Sequence, residues 1–123
     1  MIFSTALNCM DGRVQIPVIT YLQNRFNSEC VDTITEAGIN KVLAELEDAS
    51  RIQNILERVK ISIDVHKSGG IAVVGHHDCA GNPVGKEEQI KHIKKGVNFL
   101  KQKYKDVEII GLWVDANWKV NEI

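Results

Sequence analysis

The feature that most constrains this chain is Ile71-Ala-Val-Val74, four apolar residues that run without a break into Gly75-His76-His77-Asp78-Cys79-Ala80-Gly81. A strand with one wet face alternates apolar and polar residues. A continuous apolar run belongs to a strand covered on both faces, as in a parallel sheet sandwiched by helices. Three further stretches read as strands. Ile2–Leu7 is short, apolar and followed by Asn8-Cys9; Val107–Val114 is the last long one. Cys30–Thr35 is rich in β-branched residues and ends at the turn Glu36-Ala37-Gly38.

Between these runs the apolar period becomes helical. Pro17 suits a first helical turn, with Val18, Ile19, Leu22 and Phe26 on one face. Ile39, Val42, Leu43 and Leu46 form a second stripe, and Ile52, Ile55, Leu56, Val59 and Ile63 a third. Asp48-Ala49-Ser50 divides the two, and Gly69-Gly70 closes the stretch. A last helix is expected over Glu87–Tyr104, with Ile90, Ile93, Val97, Leu100 and Tyr104 inward and a solvated lysine face outward. Strands alternating with helices predict parallel pairing by right-handed crossovers. The expectation is an α/β fold of three layers, a single domain over residues 1–123. Its four-stranded, mainly parallel sheet has the order 2-1-3-4, and a short extra edge strand is allowed over Asn117–Val120. A chain of 123 residues supports one sizeable core and not two.

Formal net charge is −1, from 15 basic and 16 acidic residues, which argues against nucleic acid and membrane surfaces as partners. The apolar runs fall far short of the roughly 20 residues of a membrane-spanning helix. The N-terminus lacks the basic start of a signal peptide, so the expected location is cytoplasmic. Cys9, Cys30 and Cys79 make an odd number, which suits metal binding or free thiols better than a disulfide framework.

In an open α/β sheet, ligands gather at the carboxyl ends of the strands. Cys9 follows the first strand, and His76 and Cys79 follow the third, where the His-x-x-Cys spacing lets both side chains of one turn face one point. Thiolate and imidazole are zinc's preferred ligands, and three protein ligands leave a fourth position free, the catalytic pattern. Asp11 is placed either to fill that position or to stay outside it, and Arg13 is placed to hold Asp11 by a bidentate ion pair. His66 and His92 read as surface residues of helices, His77 as an exposed neighbour of the ligand turn, Cys30 as a buried strand residue, Trp113 as core and Trp118 as the cover of an interface. Gly81-Asn-Pro-Val-Gly85-Lys86 is too short for a P-loop and reads as a helix-entry loop.

Cys9-Met-Asp11-Gly-Arg13 resembles the Cys-x-Asp-x-Arg motif of the β-class carbonic anhydrases, and Gly75-His76-His77-Asp78-Cys79 resembles their Gly-His-x-x-Cys motif. The likeness continues through Asn82-Pro-Val-Gly85 and Gly111-Leu-Trp-Val-Asp115, and so covers most of the chain in the family's order. The resemblance implies zinc held by Cys9, His76 and Cys79, with water fourth, and hydration of carbon dioxide to bicarbonate by zinc-bound hydroxide. It assigns Asp11 a hydrogen bond from that water and Arg13 the orientation of Asp11. Two thiolates neutralise the ion's charge and leave its water less acidic than three histidines do, which makes an orienting carboxylate useful. The family is built on dimers, so a homodimer is expected.

The chain also departs from the pattern. The family's N-terminal helical arm and the substrate-binding Gln of its plant-type members would lie before Met1. The family's Arg-Asn-Ala-Gly reads Thr35-Glu36-Ala37-Gly38, and a helical segment before Asn82 is missing. The alternatives to carbon dioxide hydration are a non-catalytic zinc protein in which Asp11 closes the shell, and a hydrolase of a related C=S compound. A thiol redox role is disfavoured because Cys9 and Cys79 form no Cys-x-x-Cys pair.

Overall fold

A computed structural model describes all residues, Met1–Ile123. The elements follow in the order β1 (Phe3–Asn8), α1 (Gln15–Arg25), β2 (Cys30–Thr35), α2 (Ile39–Glu45), α3 (Ala49–Asp64), β3 (Gly70–His76), α4 (Lys86–Lys103), β4 (Glu108–Val114) and β5 (Val120–Glu122), with a 3-10 turn at Gly12–Val14 before α1. The sheet runs β2-β1-β3-β4-β5, with the first four strands parallel and β5 antiparallel to β4. The four-stranded order expected from the sequence is present and gains a fifth strand. That strand begins at Val120, later than the Asn117 start expected. Residues 115–119 are spent on a turn in which the Asp115 carboxylate accepts the Asn117 and Lys119 amides at 2.9 and 3.1 Å, so pairing starts only beyond it.

Why the central strands are apolar throughout is visible in the layers. Every residue of β3 is buried. One face, with Leu7, Ile34, Ile71, Val73, Ile109 and Trp113, packs on Ile39 and Leu43 of α2, Ile55 and Val59 of α3, and Ile93, Val97 and Leu100 of α4. The opposite face, with Ala6, Ala72, Val74, Ile110, Leu112 and Val114, packs on Val18 and Leu22 of α1. Each fully buried aliphatic side chain contributes roughly 1.5–3 kcal/mol by leaving water, so these two layers supply most of the cohesion. No helix of the chain is long and apolar enough to cross a membrane.

The break at Asp48-Ala49-Ser50 is where the sequence puts it. Leu46 ends α2 in the left-handed region, at φ +56°, and the Asp48 carboxylate caps α3 by accepting the Arg51 amide at 3.0 Å. The end of α3 differs from expectation. The helix stops at Asp64, ahead of the glycine pair, and Gly70 opens β3. Gly70 is there because Phe26 packs against it; a Cβ would stand 2.3 Å from that ring. His66, past the helix end, is half-buried and stacked on Phe3 at 4.3 Å, so it is a packed residue where the sequence reading had a surface one. Cys30 lies on the edge strand β2 and is likewise only half-buried. Trp113 is in the core, 5% exposed.

Candidate metal centre

Both segments that carry the candidate ligands leave the sheet at the same end. Register pairs Thr5 with Ile71, Ala6 with Ala72 and Leu7 with Val73, so the chain exits β1 and β3 side by side. Cys9 follows β1, His76 is the last residue of β3, and Cys79 lies one tight turn further, past Asp78 at φ +56°. Two glycines let this turn approach the loop after β2. Gly38 has φ +60°, and a Cβ on it would lie 2.5 Å from the Gly81 carbonyl carbon; a Cβ on Gly81 would lie 2.5 Å from that of Ala37.

Cys9, His76 and Cys79 are all buried, and their ligand atoms lie within 4.8 Å of one another. The two sulfurs are 3.9 Å apart and both thiols are free. A disulfide would bring them to about 2.05 Å, so the pair is poised around a shared point and is not half of a crosslink. His76 Nδ1 lies 2.7 Å from the His77 carbonyl oxygen and donates to it. That commits one ring nitrogen as the donor and leaves Nε2 with a lone pair, the tautomer of a metal-ligating histidine. Nε2 is buried with no hydrogen-bond partner. Leaving a buried polar atom unpaired costs about 1–3 kcal/mol. The other two such side-chain atoms are Asn8 Oδ1, beside Cys9, and Asn82 Oδ1, three residues past Cys79. The electrostatics are those of a pair that readily parts with its first proton. Sharing a hydrogen bond with Cys79 pulls the Cys9 thiol far below its ordinary value, and the same interaction together with burial pushes Cys79 up.

Asp11 is outside this cluster. It caps the 3-10 turn by accepting the Arg13 amide at 2.9 Å, and both its oxygens are held by the Arg13 side chain, Nε at 3.0 Å and Nη2 at 2.7 Å. The bidentate pair expected from the Cys-x-Asp-x-Arg spacing is formed. The Arg13 hydrogen bonds hold the Asp11 carboxyl down at about 2. Arg13 also reaches Asp78, donating from Nη1 to its carboxylate at 3.2 Å and from Nη2 to its carbonyl at 3.0 Å, and its guanidinium lies 4.4 Å from the Trp118 ring. Gln15 ties the segment together by donating to the Cys9 and Asp11 carbonyls at 2.7 and 2.8 Å.

Beneath the Cys79 turn lies a buried amide network that the sequence reading did not anticipate. Gln89 accepts from Asn40 Nδ2 at 2.7 Å and donates to the Asn82 carbonyl at 2.8 Å. Asn82 Nδ2 reaches Asn40 Oδ1 at 3.3 Å and His92 Nδ1 at 2.9 Å. His92 is therefore a partly buried partner of the helix-entry loop, in place of the surface residue expected. Gln89 sits at an inward position of α4 beside Glu87 and Glu88, and its register with Ile93 was the available signal. His77 is exposed, with its ring edge toward Trp118 at 6.3 Å.

No curated protein matches the chain significantly by sequence. Solved structures do match its fold. A tetrameric β-carbonic anhydrase from the filamentous ascomycete Sordaria macrospora superposes with TM-score 0.63 at 14% identity, over 97% of this chain and 79% of that one. A carbonic anhydrase from Streptococcus mutans gives 0.64 at 18% identity, over 98% and 80%. The β-carbonic anhydrase of Aspergillus fumigatus gives 0.55 at 12%, over 98% and 74%. A family model described as "Putative carbonic anhydrase" matches residues 1–123. With that match over its whole length, the fold of β-carbonic anhydrases and a Cys-His-Cys cluster at the ends of β1 and β3, the chain belongs to this carbonic anhydrase-like enzyme family.

Proposed function

We propose that the chain, as one domain, binds zinc through Cys9 Sγ, His76 Nε2 and Cys79 Sγ and hydrates carbon dioxide to bicarbonate. The observation that carries the reading is the buried, unpartnered His76 Nε2 beside two thiols, with Asp11 tied to Arg13. The sulfur spacing supports zinc. Two thiolates each about 2.3 Å from a tetrahedral ion stand about 3.8 Å apart, and the observed separation is 3.9 Å. Zinc, when bound, supplies a Lewis acid that lowers the pKa of water and so provides a nucleophile near neutral pH.

The rest is the work of the chain's own residues. The His77 carbonyl fixes the His76 ring through Nδ1, so that Nε2 keeps its lone pair. Asp11, kept ionised by Arg13, is an acceptor held next to the cluster, suited to orient a hydroxyl and to take its hydrogen bond. Arg13 prevents that carboxylate from swinging inward as a ligand. Thr35 stands where the wider family has Arg and Glu36 where it has Asn, and the Glu36 carboxylate is taken up by Arg51 and Arg58 at 3.5 and 3.0 Å. We further propose self-association as a homodimer, consistent with an exposed apolar rim at Met10 and Ile16 beside the site, and a cytoplasmic location, consistent with three free thiols.

Stopped-flow hydration of carbon dioxide on protein of known zinc content tests the activity. The wild type is expected to turn over with a rate that rises above neutral pH, and Arg13→Ala to keep zinc and lose the activity. Zinc-replete wild type that hydrates nothing at any pH overturns the carbonic anhydrase reading; assays with carbon disulfide and carbonyl sulfide then decide the C=S alternative. A monomer by light scattering at tens of micromolar overturns the dimer.

A further inference from the structure

We propose that Trp118 is a positioning residue of this site, a clamp whose indole face pins the Arg13 guanidinium onto Asp11 and so keeps the Asp11 carboxylate from reaching the metal. Four observations carry this. The Arg13 guanidinium carbon lies 4.4 Å from the Trp118 ring centroid, within cation–π range. Trp118 adopts φ +60°, a conformation costly for a bulky residue and natural for glycine. The turn that holds it there is braced from within. The Asp115 carboxylate accepts the Asn117 and Lys119 amides at 2.9 and 3.1 Å and Asn121 Nδ2 at 3.1 Å, and the Trp118 amide donates to the Asp115 carbonyl at 2.9 Å. Finally, the ring stands among the groups that frame the metal cluster, 6.4 Å from His76 and 6.3 Å from His77.

The clamp is needed because the Asp11–Arg13 pair is weakly protected on its own. The Arg13 side chain is 46% exposed, and an ion pair that open to solvent holds its geometry poorly. Trp118 shields one face of the guanidinium plane. Asp78, also at positive φ, takes the Nη1 and Nη2 hydrogens that Asp11 leaves over, through its carboxylate at 3.2 Å and its carbonyl at 3.0 Å. Arg13 is thus held by the β1 loop, the β3 loop and the β4–β5 turn together, and strain in the third is retained where a glycine would relieve it. The consequence for catalysis rests on the function proposed above; the clamp itself does not.

The test uses the full chain with Trp118→Gly, which suits φ +60° and so preserves the turn, and with Trp118→Phe and Trp118→Leu. Solvent exchange of the Arg13 Nε–H is measured by nitrogen-15 NMR on zinc-loaded protein. Loss of the aromatic face is expected to speed that exchange about tenfold in the Gly and Leu variants, with Phe close to wild type. In carbon dioxide hydration, kcat of the Gly variant should fall about tenfold near neutral pH, with KM unchanged and the loss shrinking as pH rises, because hydroxide then competes better with Asp11. Unchanged Nε–H exchange in Trp118→Gly, or a Leu variant that matches wild type, overturns the clamp. Faster exchange with unaltered hydration overturns its role in keeping Asp11 off the metal. A wild type with no hydration at all defeats the proposed activity, while the exchange measurement still decides the clamp.

Discussion

Two clusters in this molecule draw on similar side chains and reach opposite states. In one, Asp32, Ser62, His66, Thr5 and Ser68 meet where α3 packs on β1 and β2. Ser62 donates to Asp32 at 2.6 Å, and His66 Nδ1 lies 2.7 Å from the same oxygen. Thr5 Oγ1 lies 2.6 Å from Ser62 Oγ and 2.7 Å from Ser68 Oγ, and Ser68 donates to the Gly70 carbonyl at 3.0 Å. The composition is that of a Ser-His-Asp hydrolase. The wiring is not, because Ser62 and His66 both bond to Asp32 and not to each other, so no hydroxyl is activated by a base. The candidate metal centre is the reverse case. Its histidine has one nitrogen fixed by a carbonyl and the other buried without a partner, between two thiols. A polar cluster that closes on itself braces a fold; one that leaves a buried lone pair unmatched is shaped for something that arrives from outside.

The largest expected effect tests that contrast directly. Cys79→Ser should reduce metal content from about one ion per chain to near zero by elemental analysis. Chelation should lower the melting temperature of the wild type and leave that of the variant unmoved. Binding at a thousandfold excess over Kd is worth about 4 kcal/mol of stability, so the difference should be plain in a thermal scan. A wild type indifferent to chelators would erase the distinction between the two clusters.

Next in size is Gly38→Ala. The substitution places a Cβ at φ +60° and 2.5 Å from the Gly81 backbone, which should cost about 3 kcal/mol in chemical denaturation and loosen metal binding with it. Asp32→Ala sharpens the comparison from the other side. It strips Ser62 and His66 of their common acceptor and should cost about 2 kcal/mol while metal content stays at wild-type level. If metal content fell as well, the two clusters would be coupled, not separate.

The smallest effect concerns a surface ion pair and pH. The Arg25 hydrogen bond, helped by Tyr21, holds the Glu122 carboxyl below its ordinary 4.5. A carboxylate with a depressed folded pKa stabilises the fold above its unfolded pKa and loses that contribution as pH falls through the folded value. Glu122→Gln should therefore cost under about 1 kcal/mol at pH 7, where the pair joins α1 to β5, and the wild type and variant should converge in urea titrations as the pH falls from 4.5 through the lowered folded value. A gap that persists once the carboxyl is protonated in both states would assign the effect to packing of the side chain and not to its charge.

Much of this is legible in the sequence. Continuous apolar runs can be satisfied only by two covered faces, so Ile71–Val74 placed β3 at the centre of a sandwiched sheet. The Cys-x-Asp-x-Arg spacing is short enough for local geometry to form the Asp11–Arg13 pair, and His-x-x-Cys is short enough for one turn to aim both residues at one point. Cys9 could be joined to them because both segments leave apolar strands at the end where an open α/β sheet gathers ligands.

What the sequence by itself determined, then, were the faces and the local motifs, since periodicity and short spacings are properties of a few residues at a time. Only the tertiary structure decided the contacts made between loops. Asp78 and Trp118 close on Arg13 from 65 and 105 positions further along the chain, and His92 turns inward to Asn82. His66 settles against Phe3 and Asp32 past a helix end that no glycine marks. These depend on strand register and on turns at positive φ, here Asp78 and Trp118. A change of one residue in either would send the same side chains elsewhere while leaving every local pattern intact, which is why no reading of the pattern alone could supply them.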